Sequence, residues 1–176
     1  SNAPFGAGNH GQWGDFMVDS GKIYGITSNF GGGRLYRVDA ASGNLDWQVD
    51  TDGSDVPPAM INGKLYILNT ANSIARFDPA DGSADGNPVV VISSSMFRDY
   101  FAATSDGIYL AKSGQGLRLF SLGTTDSVVL QSSSSDTPYT GPCAADSSTG
   151  YVYTHDGQGG LSAFTGVSSV TDWMEY

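Results

Sequence analysis

Gly21-Lys22-Ile23-Tyr24 returns as Gly63-Lys64-Leu65-Tyr66, then as Asp106-Gly107-Ile108-Tyr109, and again as Gly150-Tyr151-Val152-Tyr153. Each copy is a turn glycine followed by an apolar residue and a tyrosine. The apolar positions Ile23, Leu65, Ile108 and Val152 are 42, 43 and 44 residues apart. A regular period in the low forties is that of one four-stranded sheet. Each copy continues into a second short strand: Leu35-Tyr36-Arg37-Val38-Asp39, Ile74-Ala75-Arg76-Phe77-Asp78, Leu117-Arg118-Leu119-Phe120 and Leu161-Ser162-Ala163-Phe164. Upstream of the glycines lie small or apolar segments, Asp15-Phe16-Met17-Val18, Pro57-Pro58-Ala59-Met60, Phe101-Ala102-Ala103 and Pro142-Cys143-Ala144-Ala145. These read as innermost strands, where small residues suit a crowded axis.

The reading that follows is an all-β fold, a β-propeller of four four-stranded blades over roughly 10–50, 51–92, 93–135 and 136–176. Composition agrees: 24 Gly, nine Tyr and eight Phe among many Ser, Thr and Asp describe short strands joined by tight turns. No stretch keeps apolar residues at helical spacing for three turns. Ser1-Asn2-Ala3 reads as the remnant of a cleaved tag, leaving residues 4–176 as a single repeat domain. A chain of 176 residues buries roughly 70% of its unfolded surface, enough for a core without staples.

Around one of the turns stands Asp39-Ala40-Ala41-Ser42-Gly43-Asn44-Leu45-Asp46-Trp47. With the forty-residue period, this stretch resembles the quinoprotein alcohol dehydrogenase-like propellers, built from repeats named after pyrroloquinoline quinone. Their pattern is Asp, two variable residues, Thr or Ser, Gly, three variable residues and Trp. The resemblance implies that Asp39 to Gly43 form the turn between third and fourth strands and that Trp47 docks on the adjacent blade. The second copy keeps Asp78 and Gly82 but has Gly86 where Trp is expected; the third has lost the Asp; the fourth retains Gly166 and a distant Trp173. The residue chemistry gives the same structural role: Gly tolerates positive φ, Asp and Ser bond their own backbone, and Trp brings a large apolar surface. Blades of this family close rings of seven or eight. Four blades therefore make either a fragment or half of a larger ring, which a second copy would complete, or a small closed ring.

Charge excludes several functions. At −10, with eight Lys plus Arg spread thinly, the chain has no basic stripe to neutralise a nucleic-acid backbone. No apolar run approaches the ~18 residues of a membrane span. An acidic, Lys-poor, Ser/Thr/Gly-rich surface suits a secreted, periplasmic or cell-surface protein.

Candidate chemistry is sparse. The family's quinone enzymes use about twice as many blades, a bound calcium and an adjacent Cys-Cys pair; this chain has one cysteine, Cys143, so the expectation is no quinone. Asp50, Asp52 and Asp55 in Asp50-Thr51-Asp52-Gly53-Ser54-Asp55 are the best candidate for a calcium loop, since alternate carboxylates can supply hard oxygens. The EF-hand pattern, however, wants Gly at position 55 and Glu at position 61, so the competing reading is an acidic turn. His10 and His155 stand alone, His155 in an expected turn, and no Gly-x-Ser-x-Gly elbow occurs. Two segments look suited to contact: the glycine arm bearing Phe30 in Ser28-Asn29-Phe30-Gly31-Gly32-Gly33, and Met96, Phe97, Arg98 and Tyr100 after Ser93-Ser94-Ser95. Trp13 enters the first inner strand similarly. The expectation is a non-catalytic binding or scaffold module of an exported bacterial protein, holding a protein or glycan. The rivals are a fragment of a propeller enzyme and a structural spacer.

Overall fold

The computed structural model describes residues 13–29, 32–54, 56–69, 73–87, 89–90, 99–104, 107–112, 116–122, 128–133, 144–146, 148–155, 161–165 and 170–174. Every element among them is a β-strand, and every strand pairing is antiparallel. The strands form four separate four-stranded sheets, each a meander.

The first sheet holds β1 (Trp13–Asp19), β2 (Lys22–Asn29), β3 (Gly32–Asp39) and β4 (Leu45–Thr51). The second holds β5 (Ala59–Ile61), β6 (Lys64–Leu68), β7 (Ser73–Phe77) and β8 (Val89–Val90). The third holds β9 (Asp99–Thr104), β10 (Gly107–Lys112), β11 (Gly116–Leu122) and β12 (Val128–Ser133). The fourth holds β13 (Ala144–Asp146), β14 (Tyr151–His155), β15 (Leu161–Thr165) and β16 (Val170–Met174). Each copy of the glycine-apolar-tyrosine motif thus opens the second strand of a sheet. The chain divides into two compact units, residues 1–92 and 93–176.

In the first unit the turn before β2 puts Ser20 at φ +48° and Gly21 at +74°, and Asn62 and Gly63 repeat this at +49° and +72°. Asn is among the side chains that tolerate left-handed backbone best, and Gly pays no steric cost there. Register then decides the faces. Directly opposed residues share a face and neighbours along a strand alternate, so Met17, Tyr24, Arg37 and Trp47 lie on one side of the first sheet, while Val18, Ile23, Val38 and Leu45 lie on the other. The former side packs on the second sheet: Tyr24, Ile26 and Leu35 form a buried cluster with Leu65, Ile67, Ala75 and Phe77, rimmed by Met17, Trp47, Val49 and Met60. Leu35 and Val38, three apart in one strand, therefore serve opposite faces.

Three sequence expectations are corrected here. Residues 28–33 read as a glycine arm bearing Phe30, but β2 runs to Asn29 and β3 starts at Gly32, with Asn29 opposite Gly32 and Ser28 opposite Gly33. Two residues, Phe30 and Gly31, remain between the strands. The glycines serve close approach: a Cβ on Gly33 would stand 2.1 Å from the Thr27 carbonyl oxygen and 2.3 Å from Gly53 Cα. Asp50, expected in an acidic loop, lies inside β4 opposite Arg34, because the glycine-rich start of β3 lets the pairing run on to Gly33 and Thr51. His155, expected in a turn, is the last residue of β14 and pairs with Leu161.

In the second unit β9 lies against both β13 and β14 of the fourth sheet. Ala102, Ile108, Tyr109, Leu110 and Val152 are buried.

Candidate functional site

The best-built feature among the described residues is the junction between the first two sheets, centred on Trp47. The bulge between Arg37 and Val38 swings Trp47 to face Arg37 across β3 and β4. Its indole Nε1 donates to the carbonyl oxygen of Pro79 at 3.1 Å, and the Arg37 guanidinium donates to that same oxygen. The ring lies on Gly82, where a Cβ would approach Trp47 Cε3 to 2.7 Å, so only glycine leaves room. Tyr24 packs against it, tilted by 55° at 6.2 Å between centroids, and Arg37 stands 5.9 Å from its ring centre. The turn beneath is self-supporting: Asp78 Oδ1 accepts from Ala80 N and Gly82 N donates to Asp78 O. Asp39, Gly43, Trp47, Asp78 and Gly82 thus occupy equivalent turns and one seat, with Trp47 resting on the second sheet's turn.

Beside the seat stands an ion network that the sequence reading passed over. Lys22 Nζ lies 2.9 Å from both Asp39 Oδ2 and Asp46 Oδ2, and Arg37 Nε lies 2.8 Å from Asp46 Oδ2. The second sheet repeats it with Lys64, Asp78, Asp85 and Arg76: Lys64 Nζ lies 3.4 Å from Asp78 and 3.0 Å from Asp85, and Arg76 lies 3.1 Å from Asp85. The signal was present, since both turns read Gly-Lys and both third strands carry Arg two residues before Asp. Lys22 and the Ser42 hydroxyl hold the Asp39 carboxyl far below the usual carboxylate range. Lys22 likewise lowers Asp46, and Lys64 lowers Asp85; the two lysines are raised in turn, by Asp39 and Asp46 and by Asp85 and Asp78.

These shifts fix the pH dependence of stability. A carboxylate depressed in the folded chain stabilises it above its ordinary pKa of about 3.9 and loses that contribution as pH falls through the folded value. A lysine raised in the folded chain stabilises it below about 10.4 and loses that contribution as pH rises through the raised value. The thermal midpoint should therefore hold a plateau through neutral pH and fall at both ends, below about pH 4 and above about pH 10. Because the groups are solvent-accessible, added salt should flatten the acid limb. Scanning calorimetry across pH at two ionic strengths checks this, and Asp39→Asn should weaken the acid limb.

The other candidate residues are scattered. Asp50 Oδ1 meets Arg34 Nε at 3.2 Å on an exposed rim, and Asp52 Oδ2 accepts from Asn69 Nδ2 at 3.2 Å. Asp55 lies outside the described residues, among which no group of three metal-ligating side chains occurs. Trp13 begins β1 opposite Ser28, and Tyr100 lies in β9 opposite Ala111. Phe30, Met96, Phe97, Arg98, Cys143 and His10 lie outside the described residues.

Comparison with known proteins bears on the architecture. No family model matches the chain, and no curated protein matches it in sequence. Among solved structures it is similar to BamB from Moraxella catarrhalis, with a TM-score of 0.57 at 15% identity over 90% of this chain. The fold is of the β-propeller type. The chain spans 56% of that structure, a little over half its length. Within the first unit the two meander sheets stack face to face, with the Trp47 indole seated on the turn of the second.

Proposed function

We propose that the chain is a non-catalytic propeller-type module of an exported bacterial protein, holding a protein or glycan partner at its loops. The observation that carries this reading is the disposition of charge in the first two sheets. Four of their cations, Lys22, Arg37, Lys64 and Arg76, are tied into repeated ion networks that brace the turns. Such groups set shape and leave recognition to the loops between strands. The likeness to BamB supports the propeller architecture on which the reading rests. Phe30, between β2 and β3 in the sequence, the segment from Met96 to Tyr100, and Trp13 are the proposed contact residues, being aromatic, Met and Arg side chains of the kind favoured at interface centres.

The test is a binding screen of the immobilised chain against a glycan panel and against soluble exported proteins, run beside a turnover assay with alcohols, pyrroloquinoline quinone, calcium and an artificial electron acceptor. Saturable binding to one class is expected, weakened at least about tenfold by Phe30→Ala or Arg98→Ala, as for hot-spot residues worth over 1.4 kcal/mol. Quinone-dependent turnover would overturn the reading. Calcium is proposed to be dispensable, since Asp50 and Asp52 already have protein partners in Arg34 and Asn69. Millimolar Ca²⁺ should move the thermal midpoint by under about 1 °C, whereas a ligand at a hundred times its Kd adds about 2.7 kcal/mol and several degrees.

A further inference from the structure

Asn62 and Gly63 form the whole connection between β5 and β6, since Ile61 pairs directly with Lys64. Their φ angles are +49° and +72°, which makes the connection a two-residue type I′ hairpin turn. Both residues are exposed. No other asparagine in the chain is followed by glycine. That order matters chemically. The main-chain nitrogen after an asparagine can attack the side-chain amide carbon and close a five-membered ring, and a glycine brings no side chain to stand in the way.

The turn lets the two atoms meet. In type I′ geometry the Gly63 nitrogen is turned away from the Asn62 side chain, but rotating the single peptide plane between the two residues converts the turn to type II′. Asn62 then keeps its positive φ and takes a ψ of about −120°, which swings the Gly63 nitrogen round to eclipse the Asn62 Cβ. Only Gly63 changes the sign of its φ, and glycine does so without steric cost. Both turn types close the same two-residue hairpin, so the Ile61–Lys64 pairing survives the rotation. Nothing lies within 4 Å of where a Cβ of Gly63 would stand. Neither the Gly63 N–H nor the Asn62 amide is hydrogen-bonded to any described residue.

The other asparagines among the described residues lack this combination. Asn69 is 5% exposed, and its amide donates to Asp52 Oδ2 and accepts from Ser73 N. Asn87 precedes Pro88, which has no N–H to lose. Asn29 and Asn44 precede Phe30 and Leu45, residues that carry side chains.

We propose that Asn62 is a site of spontaneous deamidation in the folded chain. The Gly63 N–H gives its proton to a solvent base, the nitrogen bonds to Asn62 Cγ, and the side-chain nitrogen takes up a proton and leaves as ammonia. Water then opens the cyclic imide. Opening at Cγ restores the main chain and leaves an aspartyl residue; opening at the main-chain carbonyl routes the chain through the side chain and leaves an isoaspartyl residue. One water is consumed, one ammonia is released and nothing is oxidised or reduced. The net charge of −10 becomes one unit more negative. The isoaspartyl form also adds a backbone atom to a turn whose length sets the register of its hairpin.

Ion-exchange chromatography of the purified chain, kept folded in warm, mildly alkaline buffer, tests this. The expected result is an acidic form that grows with time. Its peptide map should carry the amide-to-carboxyl mass gain at position 62, in aspartyl and isoaspartyl forms, before any other asparagine reacts. Asn62→Ser removes the amide and places there the residue that Ser20 provides in the equivalent turn at φ +48°, so the acidic form should be lost. An acidic form that persists in Asn62→Ser, or that maps first to another asparagine, would overturn the proposal. So would an Asn62 amide that outlasts, in the folded chain, its loss from the guanidinium-unfolded chain, since the closed turn would then block the attack. Should Asn62→Ser not fold, the comparison of folded and unfolded wild-type chains decides by itself.

Discussion

Replacing Trp47 by Ala should lower the unfolding free energy by about 3 kcal/mol, the lower end for truncating a large aromatic in a packed site, because the ring is half-buried. Three losses combine. The indole leaves the surface of Gly82 bare, Tyr24 and Arg37 lose the ring they pack against, and the Pro79 carbonyl loses its indole donor. Trp47→Phe keeps most of the packing and removes the donor, so it should cost about 1 kcal/mol. Urea titrations at fixed protein concentration separate the two, fixed because self-association would make the midpoint concentration-dependent. Gly82→Ala attacks the same seat from below, at φ +77° and with a Cβ 2.7 Å from the ring. The double variant Trp47→Ala/Gly82→Ala should cost less than the sum of the singles, since residues in contact are not additive.

The second large effect is expected at Gly33. Its missing Cβ would fall 2.1 Å from Thr27 O and 2.3 Å from Gly53 Cα, both main-chain atoms that cannot rotate aside. Gly33→Ala must therefore push the β2–β3–β4 ladder apart, at a cost of about 3 kcal/mol or more. Gly43→Ala is the matched control: it has positive φ but open space, so only the backbone penalty of about 1 kcal/mol applies. Chemical denaturation of the two variants side by side checks the contrast. Equal effects would mean that Gly33 sits in a loop with room to spare.

The strands were legible because two local signals recur together. A left-handed turn residue and an apolar-tyrosine pair are set by neighbours in sequence, so Ile23, Leu65, Ile108 and Val152 marked the second strand of each sheet. The stretch around Phe30 was misread because its determinant is remote. Glycines 31–33 look like a flexible arm until Gly53, twenty residues on, is found against Gly33. Asp50 was misread for the same reason, as β4 continues only because β3 begins at glycines that can approach it. The paired lysine networks were written in the sequence twice, but Lys22 reaches Asp46 only across three strands, a distance that spacing does not reveal. Candidate contact residues chosen by chemical type, such as Asp50, Asp52 and Trp13, are spread over separate strands and turns, for composition says what a side chain favours and not where it stands.

The seat of Trp47 on the second sheet carries the account, since it fixes how one repeat docks on the next. Nuclear magnetic resonance tests it most directly through the α-protons of Gly82, which lie against the indole. They should show nuclear Overhauser contacts to the Trp47 ring and a strong upfield ring-current shift that vanishes in Trp47→Ala. Gly82 α-protons at ordinary turn positions, with no contact to the indole, would contradict it.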